Sequence, residues 1–231
     1  MKLLSVIIAC LVLCTSAFAA PSSVEATYDV FMSGMKVGQM NETYTRTDNH
    51  YTLTSTTTPL GLLAALKPGK IISTSRGLIV KNGLRPDTFD HVRENDTNRN
   101  SHAEFDWRAK QITLTHQGQQ TQLALPEGTQ DRLSAMYQFM FIRFDKLASL
   151  DFAMTDGNKL DSYHYAIGPR QKLDTGAGPC DSLYLDNQAK PGESRTEIWL
   201  STKNNLPCKM IITDARGEQI VQLLSDLHIT P

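Results

Sequence analysis

From residue 24 onward the chain repeats one format: a short run of alternating apolar and polar residues, a turn signal, then another run. Val24, Ala26, Tyr28, Val30 and Met32 share one side of the first run, and Ser33-Gly34 turns the chain into a second over 36–47. A period of two places successive side chains on opposite faces of a β-strand, so this pattern predicts strands with one buried face. Further runs over 51–57, 70–80, 87–94, 103–108, 111–116 and 119–125 repeat it, rich in Thr, Tyr, Val and Ile. After residue 150 come 151–155, 160–168, 182–186, 195–202, 208–214 and 219–229. The connections are short, and Lys81-Asn82-Gly83 contains the Asn-Gly pair of a tight hairpin, so neighbouring strands should pair antiparallel. The segments 95–101 and 168–179, polar or rich in Gly and Pro, read as exposed loops.

Two segments interrupt the strands. Residues 131–147 carry Leu133, Met136, Tyr137, Met140, Phe141, Phe144 and Leu147 at spacings of three and four, which predicts one long amphipathic helix capped by Thr129 or Asp131. Pro59 to Leu66 is a short apolar helical insert closed by Lys67-Pro68-Gly69. A hydrophobic helix among antiparallel strands is expected on the concave face of a curved sheet. The fold class expected is therefore mainly β, a strongly curved antiparallel sheet (an open half-barrel) wrapped around the long helix and the insert.

Composition narrows the function. Of 231 residues, 23 are Lys or Arg and 24 are Asp or Glu, a balance unlike the basic excess of a nucleic-acid-binding surface. No stretch after residue 20 has the roughly 18 apolar residues of a membrane helix, so membrane spanning is not expected. Met1-Lys2, the apolar run 3–13 and Ala17-Phe18-Ala19 form the pattern of a secretory signal peptide cleaved after Ala19. Residues 20–231 would then be a single exported β-rich domain, periplasmic in a bacterium. Removing 1–19 takes away Cys10 and Cys14 and leaves Cys180 and Cys208, which in an oxidising compartment are expected to form a disulfide. The loop it closes, about 27 residues long, makes it worth roughly 3.5 kcal/mol in the chain-entropy model.

The remaining polar residues carry no catalytic or cofactor motif. His50, His91, His102, His116, His164 and His228 show no metal-ligand spacing, and the chain has no G-x-S-x-G, no P-loop and no G-x-G-x-x-G. Glu104 and Asp106 share one strand face about 7 Å apart, but alternating acids on a strand are ordinarily solvated. Trp107 and Trp199 fit alternating strand patterns as core residues. No enzyme, metal or cofactor is implied.

Four short motifs carry a resemblance. Gly83-Leu84-Arg85-Pro86-Asp87-Thr88-Phe89 resembles the G-L-x-P-x-x-F signature of exported bacterial proteins grouped as domain-of-unknown-function family 3108. Phe105-Asp106-Trp107, then Asp131-Arg132-Leu133-Ser134-Ala135-Met136-Tyr137, then Ile198-Trp199-Leu200 with Leu206-Pro207-Cys208-Lys209, resemble its later motifs in the same order. The match runs from about residue 24 to 229. It departs at Cys208, where an apolar residue is expected. The resemblance implies a fold similar to the periplasmic lipoprotein carriers and supplies no catalytic residues.

The function expected from these observations is binding of an apolar ligand, a lipid or acyl chain, in the concave face. Leu60, Leu62, Leu63 and Leu66 of the insert and Met136, Met140, Phe141 and Phe144 of the helix are the expected ligand-binding residues, because they are apolar and adaptable. The alternative is an envelope structural or interaction protein with a filled core that binds a protein partner through its sheet edges.

Overall fold

A computed structural model describes residues 21–66 and 68–231. The first meander comprises β1 (Ser23–Met32), β2 (Met35–Thr47), β3 (His50–Pro59), β4 (Ile71–Val80), β5 (Gly83–Arg93), β6 (Ser101–Asp106), β7 (Gln111–His116) and β8 (Gln119–Ala124). A short helix α1 (Gly61–Ala65) separates β3 from β4. After β9 (Gln130–Asp131) and α2 (Ser134–Gln138), a second meander comprises β10 (Ser149–Thr155), β11 (Leu160–Thr175), β12 (Gly178–Asp186), β13 (Arg195–Ser201), β14 (Pro207–Thr213) and β15 (Gln219–Thr230). All fifteen strands belong to one open sheet, in which pairing of β1 with β15 joins the two meanders. Every ladder is antiparallel except the two-residue β9–β10 pair.

The sheet curls until one margin lies on its own inner face. Ser75 of β4 donates to the Asp131 carboxylate of β9 (2.6 Å), and the Gln130 amide donates to the Leu84 carbonyl of β5 (2.9 Å). Ser101 of β6 donates to the Asp156 carbonyl in the β10–β11 turn (2.7 Å). Gly157 in that turn has φ +83°, and a Cβ there would sit 2.7 Å from Ser101 Oγ, so both the backbone and the close approach require glycine.

The long helix expected over 131–147 is not formed. Helix α2 has five residues and runs on into a 3-10 turn over Phe139–Phe141; Ile142 and Arg143 are extended, and a second 3-10 turn covers Phe144–Lys146. The Asp131 carboxylate does cap the start, accepting the Leu133 and Ser134 N–H groups at 2.9 and 2.8 Å. The helix stops early because the segment is enclosed on several sides, so its packing follows the cavity. Leu133 and Tyr137 join one core cluster, Phe139 joins another, and the Phe139 ring meets Phe144 tilted and Phe152 edge-on. Such tertiary contacts override the weak helix preference of Phe and Ile. A half-barrel around a long helix is thus corrected to a rolled fifteen-stranded sheet plugged by a short helix and two turns.

The expected loop over 168–179 is also corrected. There β11 continues to Thr175 and β12 begins at Gly178. Pro169, which has no N–H for a ladder, sits in the irregularity between Ile167 and Arg170, where pairing is interrupted. Cys180 and Cys208 form a disulfide (Cα–Cα 6.6 Å) that ties β12 to β14 beyond the end of β13. Among the described residues no helix is long and apolar enough to cross a membrane. The expected signal peptide, residues 1–19, lies outside the described residues.

Candidate functional site

The inner face is organised in rows that run across the strands. In the middle of the sheet Tyr44, Leu53, Ser75, Phe89, Ala103 and Leu114 are directly opposite one another on β2 to β7. All of them except Ser75 belong to the main core cluster, in which Tyr137 of α2 stacks on Tyr44 at 5.8 Å. Gln138 closes this end, accepting from Leu84 N–H (2.6 Å) and donating to the Asn82 carbonyl (2.8 Å). The plug reaches the second meander where Asn205 donates to the Ile142 carbonyl (3.0 Å).

One step toward the opposite end, the next row is polar. Glu42, Ser55, Ser73, His91 and Ser101 align on β2 to β6, and all five are buried. Ser73 Oγ and His91 Nδ1 are 2.9 Å apart. Burial pushes the Glu42 carboxyl up to about 7, an effect partly offset by the neighbouring Tyr137 and Ser55 hydroxyls and the positive charge of Arg132. Burial also pushes His91 down to about 4, helped by repulsion from Arg132, Arg93 and Arg99, so its ring is neutral at neutral pH. The row therefore combines a neutral imidazole with a carboxyl near its midpoint of ionisation.

A further step brings Met40, Thr57, Ile71 and Arg93 into line, with Tyr28 opposite Met40 on β1. The outermost row, at the β1–β2 turn, is Met35, Met32, Ile220 and Ile212 on β2, β1, β15 and β14. These side chains share the face of the core, yet Met32, Met35 and Ile220 are 38%, 59% and 37% exposed. Helix α1 stands at the same end: the Leu60 N–H bonds to the Val37 carbonyl (2.8 Å), and α1 packs on β2. One end of the inner face is thus plugged, and the other presents an apolar rim.

The two halves of the expected ligand set fall at different places. Leu60 and Leu63 are half-buried and Leu66 is 78% exposed at the apolar rim; the backbone of Leu62 lies in α1 with them. Met136, Met140 and Phe141 pack against the main core cluster, and Phe144 packs against the cluster of Phe139 and Tyr165. Sequence reasoning overlooked Met32, Met35 and Ile220 as rim residues, and Glu42, His91 and Arg93 beneath them. Their signal was parity: Met40-Glu42-Tyr44 and Phe89-His91-Arg93 each put a polar side chain on an apolar strand face.

The outer face of β5–β8 holds two polar depressions. One, about 500 Å³, gathers Arg85, Asp87, Glu104, Asp106 and Trp107. The other, about 590 Å³, is lined by residues including Asp90, Val92, Asn100 and His102. Glu104 and Asp106 therefore do share a groove, while His102 reaches Glu104 from the adjoining depression (3.4 Å) and holds Asp90 at 2.8 Å. Among the described residues no group of three or more His, Cys, Asp or Glu could hold a metal ion.

A family model described as "Protein of unknown function (DUF3108)" matches residues 27–224. No curated protein matches the chain.

Proposed function

Since the chain belongs to the DUF3108 family, whose description assigns no activity, we infer a function from its surface: it is a non-enzymatic periplasmic protein that binds an apolar ligand, a lipid or acyl chain, at the open end of its inner face. The observation that carries this reading is the row of exposed Met35, Met32 and Ile220 with half-buried Ile212, continuous with the core and flanked by α1. Unbranched Met and mobile Leu side chains adapt to flexible hydrocarbon. An exposed apolar patch beside polar surroundings is the ordinary mark of a binding surface. Export is supported by the signal-peptide pattern of residues 1–19 and by the Cys180–Cys208 disulfide, a bond that persists in oxidising compartments.

Organic-solvent extraction of purified protein followed by mass spectrometry should release a bound lipid. Titration with the uncharged fluorophore N-phenyl-1-naphthylamine should show saturable binding that Met35→Ser with Ile220→Ser weakens. Absence of both lipid and probe binding would rule the reading out.

A second reading, an interaction protein of the envelope, rests on β8. This strand is exposed along its whole length and ends the sheet. The β7–β8 hairpin alternates such that the N–H and C=O groups of Gln120, Gln122 and Ala124 point away from β7, ready for an added strand. Gln122→Pro removes one outward donor; loss of a crosslinked partner with probe binding intact would favour this reading over the first.

A further inference from the structure

On β5, at the far end of an inner-face row from the apolar rim, cations outnumber the carboxylates that pair with them. Arg93 ends β5 on the face of Phe89 and His91, and its Nε is shielded from solvent without a hydrogen-bond partner among the described residues. Arg132 follows β9, the margin folded onto the inner face, and its charge is felt at Glu42, His91 and Arg93. Burial, then repulsion from Arg99 and Arg132, holds the Arg93 guanidinium below its usual range.

The nearby acids do not neutralise this group. Asp96 stands 3.8 Å from Arg99. The Asp156 carboxylate accepts the Asn158 and Lys159 N–H groups of its own turn, each at 3.0 Å. Glu94 accepts the Lys70 N–H (2.8 Å). Glu42 is half-neutral because burial raises it. Among the described residues, no carboxylate pairs with Arg93 or Arg132 within 4.0 Å. Like charges held together without counter-charge disfavour the fold unless an anion joins them.

The row geometry says what kind of anion fits. Arg93 is directly in line with Ile71, Thr57, Met40 and Tyr28 across β5 to β1. Ile71 and Thr57 of that row are half-buried, whereas Met40 and Tyr28 belong to a buried cluster; at about 4.8 Å per strand, Arg93 to Thr57 spans roughly 10 Å, within reach of a medium-length hydrocarbon chain. One end of its half-buried part is cationic, and the Val30–Gly38 pair separates the row from the Met32–Met35 rim.

We propose that the ligand is an anionic amphiphile, and that Arg93 and Arg132 hold its carboxylate or phosphate head while its tail passes the half-buried Ile71 and Thr57 toward the rim. This deepens the preceding reading and rests on it. A planar guanidinium suits an oxyanion because its N–H groups can donate in pairs. Arg99 is largely exposed and contributes long-range attraction only.

The test displaces N-phenyl-1-naphthylamine from purified wild-type protein with dodecanoate, dodecanol or inorganic phosphate. Dodecanoate should compete about fivefold better than dodecanol at low salt, the upper scale of a partly screened charge pair. That preference should shrink at high salt and in Arg93→Gln with Arg132→Gln, while dodecanol competes as before. Arg132→Gln alone, at an exposed position, should lose part of the preference and keeps the test decisive if the double variant does not fold. Equal competition by acid and alcohol in wild type, or a preference that survives both substitutions, overturns the anionic assignment while leaving apolar binding intact. Probe and dodecanol failing to bind at all overturns the apolar reading itself. Inorganic phosphate competing as strongly as dodecanoate overturns the tailed ligand.

Discussion

Glu42→Gln should stabilise the protein, and more so as pH rises. The carboxyl is 7% exposed on the inner face of β2, and burial lifts it from about 4.5 to about 7. A carboxyl with a raised folded-state pKa keeps its proton longer in the native protein than in the unfolded chain. Its contribution is therefore complete below pH 4.5 and is lost as pH climbs through 7. A shift of about 2.5 units corresponds to roughly 3 kcal/mol between the acid limit and pH 8. At pH 5 less than about 1 kcal/mol of that has been lost. Glutamine has nearly the same shape and no charge, so it removes the whole dependence. Urea denaturation of both proteins at pH 5 and pH 8 should show the variant gaining about 2 kcal/mol more at the higher pH. The comparison matters because His91 has the opposite sign. Its folded-state pKa is lowered to about 4, so it adds stability as pH rises from 4 to 6.5 and masks the Glu42 loss in wild type. Contributions common to both proteins, including the raised Asp131 carboxyl, cancel in the difference. Parallel stability profiles for wild type and variant would refute the burial of an ionising Glu42.

Three other outcomes follow from the same geometry. Replacing Cys180 and Cys208 by Ser should lower stability by about 3.5 kcal/mol in the chain-entropy model, measured by urea denaturation without reductant; reductant should do the same to wild type. Asp131→Ala removes the acceptor of Ser75 Oγ and of the Leu133 and Ser134 N–H groups; a loss of about 2–3 kcal/mol is expected, and hydrogen exchange should report faster opening of α2 than of β2. At Gly77 an added Cβ would collide with the Arg85 carbonyl oxygen in the β4–β5 irregularity, so Gly77→Ala should cost more than about 2 kcal/mol and lower the thermal midpoint.

The sheet was legible because strand signals are local. Alternation such as Val24-Ala26-Tyr28-Val30 records which face is buried, whatever strand lies opposite. Asn82-Gly83 needs only its own backbone geometry to mark a hairpin. Where a local signal was ambiguous, long-range contacts decided. The Gly and Pro content of 168–179 reads as loop, yet pairing with β12 carries β11 through all but an interruption at Gly168-Pro169. The i, i+3, i+4 stripe of 131–147 reads as one helix, but it records only that many side chains are buried. Their burial is achieved by two 3-10 turns and an extended Ile142-Arg143 pair, because Phe139, Phe144 and Phe152 fit together that way.

The candidate site was harder to read because its components are remote in sequence and individually ordinary. Ser55 and Ser73 look like neutral strand residues until register sets them between Glu42 and His91. Arg132 stays exposed, and only the folded-back β9 margin places its charge where Arg93 feels it. Half of the anticipated ligand set joined the core for a related reason: Met136 and Phe141 are as useful for filling an irregular interior as for contacting hydrocarbon. Apolar composition alone therefore cannot separate a plug from a pocket; exposure on an otherwise buried face can, which is why Met35 and Ile220 carry more functional information than Met136 or Phe141.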